Sequence, residues 1–307
     1  MANRGLAKYQ VAIFFVLAYA ITWPAHLIGY TYATRHGHVP TNEGNVLSVA
    51  AWLRGDLDTA YVPFLLLLMF SFGPTVAGIV VTALFKGKDG LVDLWRRTTK
   101  VRIGPRWIAV IIGLPIVFGV VSVALGFLTG GMRLQYELLV PLTLFPALLL
   151  FMVVCTGLAE EVGWRGYALP ELQRDHTAER ASWIVGFAWG LWHIPSVLYL
   201  PYLRGELNPG LVIPILAGLT FGIVGYTIVL TWIYNNTGSV FWIVILHGWA
   251  NTVQSYLVLS SGSYLAQLAW AVLPWAVAAH LLKNYDTETL TERRPRTTTS
   301  AKPAASS

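Results

Sequence analysis

The chain has 307 residues, 55% of them hydrophobic and 12% charged, with 21 Lys and Arg against 15 Asp and Glu. An ordinary soluble domain is roughly 25% charged, so this composition argues against a soluble domain and for an all-α, polytopic membrane protein. The net charge of +6 resides in basic residues flanking apolar runs, which points to lipid head groups and not to nucleic acid. Cys155 is the single cysteine, which excludes an intrachain disulfide or a Cys-rich zinc site.

A spanning helix needs ~20 mostly apolar residues. Eight stretches qualify: about 9–30, 60–85, 107–129, 139–159, 181–201, 209–233, 239–260 and 263–283. The first contains Ala18-Tyr19-Ala20, which resembles a cleavage site. The apolar run continues through Ile21, Trp23 and Ile28, so the segment reads as an uncleaved span. Residues 91–102 are short, basic and amphipathic, and suit an interfacial helix on anionic lipid. The Ser-Ser-Gly-Ser stretch at 260–263 has turn composition and separates the last two spans. Residues 284–307 are rich in Thr, Ser, Ala and Pro and read as a disordered cytoplasmic tail. The expectation is a single transmembrane helical domain over 1–283, with its core at about 139–260.

Positive charge tests the topology. With the N-terminus inside, 17 of the 21 Lys and Arg fall in cytoplasmic segments, and only Arg35, Arg54, Arg133 and Arg204 fall outside. The split supports eight spans with both termini cytoplasmic. The short basic inner loops favour a bacterial cell membrane.

Against this apolar background, Glu160-Glu161-Val-Gly-Trp-Arg165 ends the fourth span. Ionisable groups at such a position are costly unless paired or used. Glu161 and Arg165 are four apart and can pair on one helix face, whereas Glu160 points about 100° away, toward the bundle. In the fifth span, His193 lies about 18 Å from the inner end, four residues after Trp189 and just before Pro195, which should bend the helix. In the seventh, His247 lies about 12 Å from the inner end, and Asn251 shares its face. Two histidines, an amide and a carboxylate are thus reachable from the cytoplasmic side. His26 and His280 lie near span ends, and His36, His38 and His176 lie in loops; these read as ordinary structural histidines.

Glu160-Glu161-x-x-x-Arg165, Trp189-x-x-x-His193 and His247-x-x-x-Asn251, in this order, resemble the three motifs of the CPBP family. This is the CAAX prenyl protease and bacteriocin-processing family, also called Abi, of intramembrane proteases. Flanking text such as Phe72-Gly-Pro-Thr75 and Tyr234-Asn-Asn-Thr-Gly-Ser239 is also similar. Trp189 stands where the family usually has Phe, which keeps an aromatic wall. Similarity to type II CAAX endopeptidases implies Glu160 as the base for water, assisted by His193. It implies His247 and Asn251 as donors to the oxyanion, and Glu161 and Arg165 as supporting residues. The implied substrate is a peptide or protein, with prenylated CAAX-type peptides among the candidates.

Two rival readings use the same residues. Glu160, His193 and His247 make a three-ligand zinc set with an open position, although no His-Glu-x-x-His is present to strengthen it; the favoured reading needs no cofactor. Intramembrane Glu and His also mark proton pathways. A transporter or non-catalytic scaffold, with helices broken at Pro115, Pro195 and Pro214, is the other rival, but no matching halves are visible.

Overall fold

Apolar runs bounded by Pro, Gly, Ser and Thr fold into long helices. A computed structural model describes residues 7–37, 51, 54–56, 72–129 and 137–292, and the regular elements among them are all helical. Helix α1 spans Gln10–Arg35, α2 Gly73–Thr98 and α3 Pro105–Leu128. Helices α4 (Leu142–Leu172) and α5 (Ala178–Leu203) are long rods containing π turns. Helix α6 is Pro209–Thr237, α7 is Val240–Val253 and α8 is Tyr264–Asn284.

Local sequence sets the ends. Pro105 takes the first helical position of α3, after Gly104, where its missing N–H costs nothing. Thr177, Ser239 and Ser263 cap α5, α7 and α8 by accepting from the amides of Arg180, Trp242 and Ala266 at 3.1–3.2 Å, satisfying donors that the helix leaves free. Gly238 closes α6 in the left-handed conformation at φ 58°, which glycine adopts without a Cβ clash. The turn expected at 260–263 separates α7 from α8, with Gly262 at φ 63°.

Among the described residues six helices are long and apolar enough to cross a bilayer: α1, α3, α4, α5, α6 and α8. The chain is a polytopic, all-α integral membrane protein. The two remaining expected spans are not among the six. The span expected at 60–85 starts in residues 57–71, outside the described residues, and its described part opens α2. Helix α7 continues through π and 3-10 turns to Ser261, but His247, Asn251 and Gln254 interrupt its apolar run.

Helix α4 lies at the centre, packed on α2 and α7 and touching α5; α5 pairs with α6, α1 with α2, and α3 with α7 and α8. The α4–α7 approach depends on two glycines. A Cβ on Gly157 would meet the backbone oxygen of Val244, and one on Gly248 would meet the backbone of Val153. Side chains there would push apart the helices that carry Glu160 and His247.

Three expectations change. The short helix expected at 91–102 is present with shifted bounds: it follows a break in α2 at Gly87 (φ 62°, ψ −152°) and ends at Thr98. It is anchored, not free, because Leu94 is buried and Arg97 donates to the Gly166 carbonyl at 2.7 Å and the Tyr234 hydroxyl at 2.8 Å. The stretch 284–307, expected to be disordered, is docked over its first part. The Glu288 and Thr287 carbonyls accept from the Ala178 and Glu179 amides at the start of α5, and Leu290 is fully buried; residues 293–307 lie outside the described residues. Helices α3 and α6 run through Pro115 and Pro214, and only at Pro195 does regular α-helix give way, to a π turn over Pro195–Tyr199.

Candidate active site

The two glutamates sit in one short α segment, Ala159–Gly163, between π turns at Val153–Leu158 and Trp164–Ala168. Further π turns follow His193 at Pro195–Tyr199 and Asn251 at Gln254–Val258. Such turns add a residue to the helical repeat and re-aim the side chains beside them, and they recur at functional sites. All three motifs adjoin one.

Glu161 and Arg165 are both fully buried. Arg165 Nη1 donates to both Glu161 carboxylate oxygens at 3.0 Å, and Nη2 donates to Thr227 Oγ1 at 3.2 Å. His247 Nδ1 meets Glu161 Oε1 at 2.8 Å; the carboxylate accepts, so Nδ1 donates and Nε2 is the ring nitrogen left over. Glu161 is therefore bonded by a cation and by the third motif at once. The pairing of Glu161 with Arg165 expected from their spacing is thus present.

Glu160 has a different environment. Its Oε2 accepts from Trp189 Nε1 at 2.5 Å, and its Oε1 has no hydrogen-bond donor among the described residues. The carboxylate is 5% exposed. The Arg165 guanidinium lies 4.4 Å from the Trp189 ring centroid, a cation–π arrangement. The His247 ring packs on the same indole at 5.4 Å in a T-shaped contact.

The remaining motif residues join at the periphery. His193 Nδ1 donates to the Trp189 carbonyl at 2.8 Å, with its ring 6.1 Å from the Trp189 ring, so its Nε2 is also free of that bond. Asn251 Nδ2 donates to Thr156 Oγ1 at 3.0 Å. Glu160, Glu161, Arg165, Trp189 and His247 thus form one connected cluster, with His193 attached through Trp189 and Asn251 of α7 held beside it by Thr156 of α4. Among the described residues Glu160 forms no direct hydrogen bond to His193, His247 or Asn251.

Sequence reasoning missed three neighbours. Thr156, which holds Asn251, was findable as the residue four before Glu160. Thr227 and Tyr226 on α6 carry no local signal. The Tyr226 ring is 6.2 Å from the Trp189 ring, and its hydroxyl is buried without a hydrogen-bond partner among the described residues.

Among the described residues no three His, Cys, Asp or Glu side chains come together as a metal-holding group, so the zinc alternative of Glu160, His193 and His247 has no assembled counterpart.

Residues 141–253 match the family described as Rce1-like, type II CAAX prenyl endopeptidase. All three motifs lie inside that segment. The chain is also similar to CAAX prenyl protease 2 of Methanococcus maripaludis, at 30% identity over 122 residues, which covers 38% of this chain and 44% of that relative. The chain spans less than half the length of the curated relative it matches. The likeness to the Rce1-like CAAX protease family is thus confined to the part of the chain that carries Glu160, Trp189, His193, His247 and Asn251.

Proposed function

We propose that this protein is an intramembrane endopeptidase of the CAAX-protease type, cutting a peptide bond of a membrane-associated or lipidated substrate presented from the cytoplasmic side. The observation that carries the reading is the unequal treatment of the two glutamates. Glu161 is consumed by Arg165 and His247, while Glu160, a buried carboxylate, keeps one oxygen free of protein donors. A general base needs that combination of fixed orientation and an open lone pair.

In the proposed reaction a water sits between Glu160 Oε1 and His193 Nε2. Glu160 takes a water proton as the water oxygen bonds to the scissile carbonyl carbon, and the carbonyl electron pair moves onto oxygen. His247 and Asn251 donate to that oxyanion. With Nδ1 committed to Glu161, His247 donates from Nε2 only as an imidazolium, and that cation balances the second buried carboxylate. Glu160 then returns its proton to the leaving nitrogen as the oxyanion pair re-forms the carbonyl and the C–N bond breaks, giving a free amine and a carboxylic acid that loses its proton to solvent.

The 17 basic residues on one side of the expected topology support cytoplasmic termini and eight spans. Prenylated CAAX peptides are the first substrates to try. The test is to compare membrane proteomes of cells expressing the wild-type protein or Glu160→Ala. Accumulation of uncleaved substrates in the variant, with the protein still folded in the membrane, is the expected result. Full cleavage by Glu160→Ala overturns the reading.

A further inference from the structure

We propose that Trp189 is a positioning residue, whose indole N–H holds one oxygen of Glu160 and so leaves the other directed at the attacking water; this rests on the peptidase reading above. Where the family's usual Phe offers only a ring, Trp189 adds a donor, and that donor is 2.5 Å from Glu160 Oε2. The contact is charge-assisted when Glu160 is ionised and is correspondingly strong.

The indole is itself held on several sides. The Arg165 guanidinium lies over its face at 4.4 Å, the His247 ring packs on it at 5.4 Å, and its own backbone carbonyl holds His193 Nδ1 at 2.8 Å. Trp189 is 4% exposed. One side chain therefore touches all three motifs. Arg165 fixes the indole plane, the indole fixes the Glu160 carboxylate, and the Trp189 carbonyl fixes the His193 tautomer. The base and its histidine partner are thereby set relative to each other without any direct bond between them.

Two measurements separate this role from packing. In protein labelled with ¹⁵N at its 13 tryptophans, the Trp189 indole proton, assigned by its loss in Trp189→Phe, resonates downfield of the others, and Glu160→Ala moves it upfield. This readout needs no substrate, so it stands even if the peptidase reading fails. In the second, a farnesylated, internally quenched peptide is cleaved by purified protein. Trp189→Phe keeps the ring, loses the donor, and lowers kcat about 10- to 100-fold, as expected for one hydrogen bond to a charged group, with KM little changed. Benzothienylalanine installed at position 189 replaces N–H by sulfur at nearly constant shape, and gives the same loss should the Phe variant fold poorly. An indole resonance indifferent to Glu160→Ala, or wild-type kcat in the folded Phe or benzothienyl protein, overturns the proposal. If Glu160→Ala is inactive while those variants are fully active, the positioning role falls and the peptidase reading survives.

Discussion

His247 Nδ1 is bonded to Glu161 Oε1 at 2.8 Å, so the third motif is tied to the second glutamate of the first motif and not to the proposed base. In the proposed reaction His247 therefore has two separable jobs, one at each ring nitrogen. His247→Asn can keep a donor toward Glu161 while losing the group at the Nε2 position. The expected outcome is a protein with near wild-type thermal stability and cleavage slowed by about 100-fold or more, the usual loss for one oxyanion donor. Unchanged turnover in this variant would remove His247 from the chemistry.

Arg165 is fully buried and pairs with an equally buried carboxylate. Removing one partner of such a pair leaves the other charge without compensation, at a cost of about 3–5 kcal/mol. Arg165→Ala is expected to lower the unfolding temperature in detergent well below that of Glu160→Ala, because Glu160 has a neutral hydrogen-bond partner and no direct ion pair. Equal stability of the two variants would show that the Glu161–Arg165 pair is not what holds this part of α4.

Glu160, His193 and His247 do not come together as a metal-holding group. Cleavage is expected to survive prolonged dialysis against a metal chelator, with elemental analysis of the purified protein as the check. Activity lost on chelation and restored by stoichiometric zinc would replace the proposed mechanism with the metal-assisted one.

The motifs were legible because each carries a spacing with geometric meaning. Four residues from Glu161 to Arg165 places both on one face, and the structure has that pair. The break in regular α-helix at Pro195 was legible for the same kind of reason, since a missing N–H acts locally. The role of Trp189 was half legible. Its position beside His193 follows from helical spacing, but its bond to Glu160 joins residues 29 apart in sequence and depends on how α4 and α5 cross. The π turns around Glu160 and His193 were not legible, because they arise where packing demands an extra residue and not from any residue type. The docking of residues 285–292 was hidden by their polar composition. Its partners are backbone groups at the start of α5 and the Asn235 and Asn236 amides of α6, with Leu290 and Tyr285 supplying the apolar anchoring.

Helix α4 reaches α7 only because Gly157 and Gly248 lack side chains. Gly157→Ala and Gly248→Ala are each expected to destabilise the protein by about 1–3 kcal/mol, the range for overpacking a tight contact, and to depress cleavage by moving His247 away from α4. Gly113→Ala in α3 is the control. A Cβ there meets nothing within 4 Å, so the better helix former should be neutral or stabilising by up to about 1 kcal/mol. Thermal unfolding of the three variants side by side decides the matter, and equal effects at all three positions would deny the close approach of α4 and α7.

The segment after α8 closes the N-terminal end of α5. The Ala178 amide donates to the Glu288 carbonyl at 2.8 Å and the Glu179 amide to the Thr287 carbonyl at 3.2 Å, satisfying donors that the first turn of a helix cannot satisfy itself. Asn235 and Asn236 at the end of α6 donate to the Thr289 and Leu290 carbonyls at 2.8 and 3.2 Å. Leu290 packs with Ala178, Val224, Ile228, Ala278 and Leu281, and does so with φ at 57°, a left-handed conformation that costs a non-glycine residue roughly 1–2 kcal/mol. The burial of its side chain has to outweigh that cost. Leu290→Ala is therefore expected to destabilise by about 2–5 kcal/mol, since it keeps the strained backbone and loses the packing. Leu290→Gly relieves the strain while losing the same packing, and should be no worse than the alanine variant. Thermal unfolding of both, beside a chain ending at Asn284, is the measurement. Stabilities equal to wild type in all three would mean that α5 and α6 hold together without this segment.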